Sequence, residues 1–152
     1  MPSDAPEKLL ERYLREQIPL SAAMALRVEM ATVEQVRLWA PLAPNVNHHE
    51  TVFGGSAAAL AILSAWALLH LRIERAGLRA RLVIQRSDME YERPIAGDFE
   101  AVCRFSDELA WERFRITLVR RGRARLRLTA HLVYQAERMA GFEGEFVALR
   151  PA

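Results

Sequence analysis

Alternation and helical spacing divide this chain into a short amphipathic helix, a series of strands and one long apolar segment. Leu9, Leu10, Tyr13 and Leu14 fall on one face at helical spacing. They predict an N-terminal helix over about 5–17, with Pro6 in its first turn, Ser3 or Asp4 as cap and Pro19 as its stop. Met24, Leu26, Val28 and Met30 alternate with Arg27 and Glu29, and Val36 and Leu38 alternate with Gln35 and Arg37. Period two of this kind marks half-buried strands. Pro41 and Pro44 end the second one, leaving Asn45–Glu50 as loop.

From Val52 to Leu71 there is no Asp, Glu, Lys or Arg. A helix apolar on all sides lies either in lipid or in a protein core. Gly54-Gly55 at its start, its alanines, Ser56, Ser64 and His70, and the alternating strands around it favour the core. The expected span of this central helix is about 54–76. Beyond Gly77 everything reads as strand: Leu82–Tyr91, then a Pro94–Gly97 turn, then Phe99, Ala101, Cys103 and Phe105 on one face. Phe114, Ile116 and Leu118 against Arg113 and Arg115 suggest a further strand. Arg121-Gly122 then reads as a hairpin tip, and Ala124, Leu126, Leu128 and Leu132 as the return strand. Phe146–Leu149 is expected at an edge. Local hairpins make such a sheet antiparallel. The expectation is an α+β domain over 1–152 in which a sheet of five or six strands wraps one buried helix.

Composition narrows the function classes. With 152 residues, 51% hydrophobic and 26% charged, the chain has the makings of one real core. Cys103 is the only cysteine, which excludes an internal disulfide and a cysteine-based zinc site. Its place beside Phe99 and Phe105 makes it a small core hydrophobe rather than a nucleophile. His48-His49 supplies too few ligands for a metal, so none is expected. The start MPSDAPEKLLERYLR does not read as a signal peptide, and a cytoplasmic location is expected.

Of the 21 basic residues 20 are arginine, yet 19 acids leave a net charge of only +2. Arg123, Arg125 and Arg127 are interleaved with Ala and Leu rather than with the aromatics that single-strand binders use. They are read as the outward face of a strand, and no nucleic-acid partner is expected.

The segment NHHETVFGGS ahead of the apolar helix carries the closest resemblance. Together with Asn45, Trp66, Tyr91, Pro94, Gly97 and Asp98, it is similar to hot-dog-fold thioesterases. The nearer likeness is to the thioesterase domain at the C-terminal end of YiiD-type acetyltransferases, over about Ile18–Tyr134. The resemblance implies a hot-dog fold and a homodimer, with pairing into tetramers left open. It implies an acyl-CoA or acyl-carrier-protein thioester as substrate at the subunit interface and hydrolysis by water. Coenzyme A would belong to the substrate, and no separate cofactor or membrane span is implied.

Within that frame, a backbone N–H of Gly54 or Gly55 at the helix start suits a developing oxyanion. Asn47 and His49 would orient water, and Glu50 or Ser64 would serve as base or nucleophile. Phe53, Gly54, Ser56, Trp66 and Tyr91 would contact the acyl group, and Arg120 or Arg121 at the tip could meet CoA phosphates. Asp98 reads as a turn residue. The position where a related branch carries its helix carboxylate falls here on Ile62, which cannot take a proton. That leaves a non-catalytic acyl-thioester binding protein as the alternative.

Overall fold

The computed structural model describes residues 4–151. The N-terminal helix α1 (Pro6–Gln17) buries Leu10 and Leu14, and α2 (Pro19–Ala23) follows at once. Proline opens both helices, where its missing N–H costs nothing. Ala5 is the N-cap of α1 and no side chain caps it. Asp4 instead pairs with Arg12 at 3.3 Å, and Ser3 lies outside the described residues.

Six strands form one antiparallel sheet: β1 (Arg27–Ala31), β2 (Gln35–Ala40), β3 (Arg81–Tyr91), β4 (Phe99–Arg104), β5 (Arg123–Tyr134) and β6 (Glu137–Leu149). Their spatial order is β1-β2-β4-β5-β6-β3. Across it lies α3 (Gly54–Arg75), whose Leu60, Ala61, Ser64, Ala65, Ala67, Leu68 and Leu69 are almost wholly enclosed. The alternation in β5 is regular: Ala124, Leu126, Leu128, Ala130 and Leu132 face the helices, while Arg123, Arg125 and Arg127 face outward. This is the α+β arrangement expected, with α3 as its core. Among the described residues it is the one helix long and apolar enough to cross a membrane, and most of it is buried inside the fold.

Three expectations are corrected. Residues 108–121 form a helix, α4 (Glu108–Arg121), and not a strand. Asp107 caps it by accepting from the Ala110 N–H at 3.0 Å, and its buried side chains are Trp111, Phe114 and Leu118, at helical spacing. Ile116, which completed the apparent alternation, is on the exposed side. Gly122 is therefore a helix C-cap in the left-handed region (φ 73°) rather than a hairpin tip, and Arg113 and Arg115 belong to a helix surface. Phe146–Leu149 is not an edge: it belongs to β6, which pairs with β5 on one side and β3 on the other. The two edge strands of the sheet are β1 and β3. Finally, Met24 ends α2, and β1 begins only at Arg27.

One charged side chain is buried deep in this fold. Arg72, in the last turn of α3, is 4% exposed. Its Nε donates to the Val33 carbonyl at 2.6 Å, and its Nη2 donates to the Phe105 carbonyl at 3.2 Å and to Glu108 at 3.0 Å. The guanidinium also lies 4.6 Å from the Phe105 ring centre. One side chain thus ties the C-terminal end of α3 to the β1–β2 turn, the end of β4 and the start of α4. Truncating it leaves the buried Phe105 carbonyl and the part-buried Val33 carbonyl without a donor, a desolvation penalty of about 1–3 kcal/mol for a fully buried group. Arg72→Met is expected to lower the unfolding free energy by about 2–4 kcal/mol in urea titrations. Glu108→Ala, removing only the exposed partner, should cost less than about 1 kcal/mol.

Candidate active site

The loop that delivers the chain to α3 is built on two asparagines. Asn45 is buried, and its Nδ2 donates to the carbonyls of Met24 (3.0 Å) and Pro41 (2.7 Å), while its backbone carbonyl accepts from the Phe53 N–H at 2.8 Å. Asn47 folds the turn beyond it. Its Oδ1 accepts from the N–H groups of His49 (2.8 Å) and Thr51 (3.2 Å), and its Nδ2 donates to Thr51 Oγ1 at 2.9 Å. This is the local bonding for which Asn is favoured in turns. Glu50 sits in that turn in the left-handed region (φ 63°). The Val52 N–H then donates to the Ile95 carbonyl at 2.8 Å, and Asp98 accepts from the Leu42 N–H at 2.9 Å, so the Pro94–Asp98 turn is stitched to the same loop.

From this support α3 begins with no side-chain cap. Ala57 is the first residue to bond back, donating to the Phe53 carbonyl at 3.0 Å. The N–H groups of Gly54, Gly55 and Ser56 precede it and have no intrahelical acceptor, which is where the positive end of the helix dipole concentrates. Tyr91, at the end of β3, reaches across and donates its hydroxyl proton to the Gly54 carbonyl at 2.9 Å. A Cβ on Gly54 would lie 3.5 Å from the Tyr91 ring, whereas one on Gly55 would lie 2.3 Å from the Phe53 ring. Gly55 is therefore glycine because Phe53 folds back over it. Beside this turn is a cleft of about 320 Å³ bordered by Val52, Gly54, Ala57, Tyr91, Pro94 and Ile95.

Phe53, Gly54, Gly55 and Tyr91 thus meet at one place, with Ser56 next along the helix. The other candidates lie elsewhere. His49 and Glu50 are exposed and, like Asn47, do not border the cleft. The His49 ring rests 3.8 Å from that of His48. Ser64 is fully enclosed and donates its hydroxyl proton to the Ala61 carbonyl at 2.7 Å. Trp66 donates from Nε1 to the Leu82 carbonyl at 3.1 Å and packs near-parallel to His70, their ring centres 5.0 Å apart. Arg120 and Arg121 end α4 at the start of β5, whereas the cleft lies towards the other end of that strand, where Leu132 pairs with Ala140 and Ala140 with Tyr91. Cys103 is buried, and burial pushes its thiol pKa up to about 12, which keeps it protonated.

His70 and Asn45 were not singled out for a role by sequence reasoning. His70 packs against Tyr13 (4.8 Å between ring centres) and lies 3.7 Å from Glu74. Burial lowers its pKa from the ordinary value, with Glu74 pulling the other way. Its position on α3 four residues after Trp66 and four before Glu74 was the available signal. For Asn45, the signal was its place between two prolines and the glycine pair.

Comparison with known proteins agrees with this architecture. A solved structure of a protein of unknown function from Chlorobaculum tepidum superimposes with a TM-score of 0.91 at 27% identity, over 95% of this chain and 94% of that one. One described as a putative thioesterase from Shewanella oneidensis gives 0.83 at 25% identity, over 94% and 96%. A Pseudomonas aeruginosa protein described as a probable thioesterase gives 0.84 at 24% identity, over 97% of each, a likeness of fold. The family model described as "Putative thioesterase (yiiD_Cterm)" matches residues 7–150. With its six-stranded sheet around one apolar helix, the chain has the hot-dog fold and belongs to the YiiD_C thioesterase family.

Proposed function

We propose that this protein hydrolyses the thioester of an acyl-CoA or acyl-carrier-protein substrate, with the thioester carbonyl seated on the Gly54–Gly55 turn. The observation that carries the reading is the uncapped start of α3, opening beside a cleft and held in place by Tyr91. Free N–H groups at a helix start stabilise an oxyanion without reorganising as charge develops. Attack by water places negative charge on the carbonyl oxygen, and collapse of the tetrahedral intermediate expels the thiolate. Coenzyme A enters as part of the substrate, and no separate cofactor is needed. Such substrates place the enzyme in the cytoplasm.

The working unit is a homodimer formed through β3. Its outer side is an unpaired edge of 11 residues, long enough to recruit another strand. Arg81 and Arg86 occupy its first half, Asp88 and Glu90 its second. An antiparallel second copy brings the basic first half of each strand towards the acidic second half of the other, and opposite charges across strands are favourable. Light scattering is expected to give twice the 17.3 kDa chain mass; a monomer would contradict the dimer.

One observation favours the alternative reading, a protein that binds acyl thioesters without cleaving them: Ile62, half-buried on the open side of α3, offers no acid or base. Thiol release from a panel of acyl-CoAs separates the two. Hydrolysis is expected, and tight binding without thiol release would support the alternative. Gly55→Ala pushes the Phe53 ring off the turn, and displacements of this size cost about 10²-fold in turnover. The variant should keep its melting temperature, because alanine suits a first helical turn.

A further inference from the structure

β4 ends early and leaves one side of β5 open. The two strands pair only through Glu100–Cys103 and Ala130–Val133, so Arg123–Thr129 has β6 on one side and no strand on the other. α4 turns into β5 at Gly122 and runs back along that open side. Alternate residues of an antiparallel strand turn their N–H and C=O groups to opposite sides. Every second residue from Arg123 to Thr129 therefore aims its N–H towards α4. Among the described residues no backbone carbonyl accepts from it there. N–H groups along the open side of a sheet make concavities that hold anions.

A groove of about 270 Å³ follows the boundary between α4 and β5. Phe114 and Leu126, both nearly inaccessible, give it an apolar floor, and Ala110 and Ala124 are too small to fill it. Its charged lining is Arg113 from α4 with Arg125 and Arg127 from β5. Thr117, one turn after Arg113, adds a hydroxyl, and no carboxylate borders the groove. Arg127 lies 3.5 Å from Glu143, whereas Arg113 and Arg125 form no ion pair among the described residues. Seven arginines and no carboxylate occur from Arg113 to Ala136, so the surrounding field is positive as well. Guanidinium groups gathered without acids repel one another, and a bound anion relieves that repulsion.

We infer that this groove is a second ligand site, taking a small molecule with a diphosphate group that the side chains of Arg113, Arg125 and Arg127 and the free N–H groups of β5 hold together. Each guanidinium presents a planar fork suited to one phosphoryl group. Arg125 and Arg127 leave the same face of the strand two residues apart, a spacing of about 7 Å. Two forks at that spacing, with a third across the groove, suit two linked phosphoryl groups better than one. The site is separate from the cleft at the glycine turn. Leu126 in the groove stands six residues, about 20 Å of strand, from Leu132, which pairs with Ala140 on the border of that cleft. The inference does not rest on the thioesterase reading.

Titration calorimetry of the full chain with inorganic diphosphate tests the site, in about 0.15 M salt so that exposed charges are screened. Saturable binding of one diphosphate per chain is expected, about tenfold tighter than inorganic phosphate. Arg113→Gln and Arg125→Gln should each weaken it about tenfold. Arg120→Gln removes the same charge from the same helix outside the groove, and should change it less than about twofold. All three arginines are exposed, so each variant should keep the wild-type melting temperature without ligand. Equal losses in all three variants would show attraction by general charge and overturn the inference, as would the lack of saturable binding. The KM for acyl-CoA should be the same in Arg125→Gln as in the wild type. A rise of about tenfold would assign the groove to the substrate's own diphosphate and overturn a second site.

Discussion

A helix without charge from Gly54 to Leu71 has to be covered, and the rest of the chain is organised around that requirement. The sheet covers one side of it with Leu38, Phe99, Ala101, Leu128, Leu132 and Phe146, all nearly inaccessible. Burying such side chains contributes about 1.5–3 kcal/mol each, which makes this contact the main stabilising term of the fold. The cover is incomplete, however. Ala58, Ala59 and Ile62 remain half-open beside β3, one of the two edge strands. The unfinished helix face and the unfinished sheet edge lie on the same flank of the molecule, and one neighbouring chain would satisfy both.

The two ends of α3 are treated in opposite ways, and the difference separates stability from chemistry. At the C-terminal end Arg72 fills the space between three other elements and gives its hydrogens to two backbone carbonyls and Glu108. A cation there also suits the negative end of the helix dipole. At the N-terminal end no side chain intervenes, and the chain is shaped by residues that bind elsewhere: Asn45 and Asn47 within the loop, Tyr91 on the Gly54 carbonyl. The support is polar and rigid, and the N–H groups it presents are free. Such groups have most effect where water is scarce, as beside a partly enclosed cleft.

The large features were legible because they rest on strong periodicities. The apolar run gave α3, and the arginine alternation in β5 gave the orientation of the sheet. Residues 108–121 were misread because Phe114, Ile116 and Leu118 also fit period two. The buried set is Trp111, Phe114 and Leu118, and the Asp107 cap and Gly122 terminator were the signals that decide between the two. The geometry of the candidate site was legible only where it depends on backbone and neighbours in sequence, as at Phe53, Gly54 and Gly55, which the structure brings together. Arg72 escaped notice because its acceptors are carbonyls at Val33 and Phe105, positions that residue type does not reveal. Tyr91 and Gly54 are 37 residues apart, so their contact depends on the pairing of β3 with β6 and on the path of α3.

The central claim is that the start of α3 receives a thioester carbonyl. A ketone analogue of an acyl-CoA, with a methylene in place of the sulfur, keeps the carbonyl and resists hydrolysis. Amide proton and nitrogen shifts followed during its titration test the claim directly. The account predicts downfield movement of the Gly54 or Gly55 amide, the signature of a new hydrogen bond, and a much smaller effect from the analogue lacking the carbonyl. Saturable binding that leaves both glycine amides unmoved would contradict it.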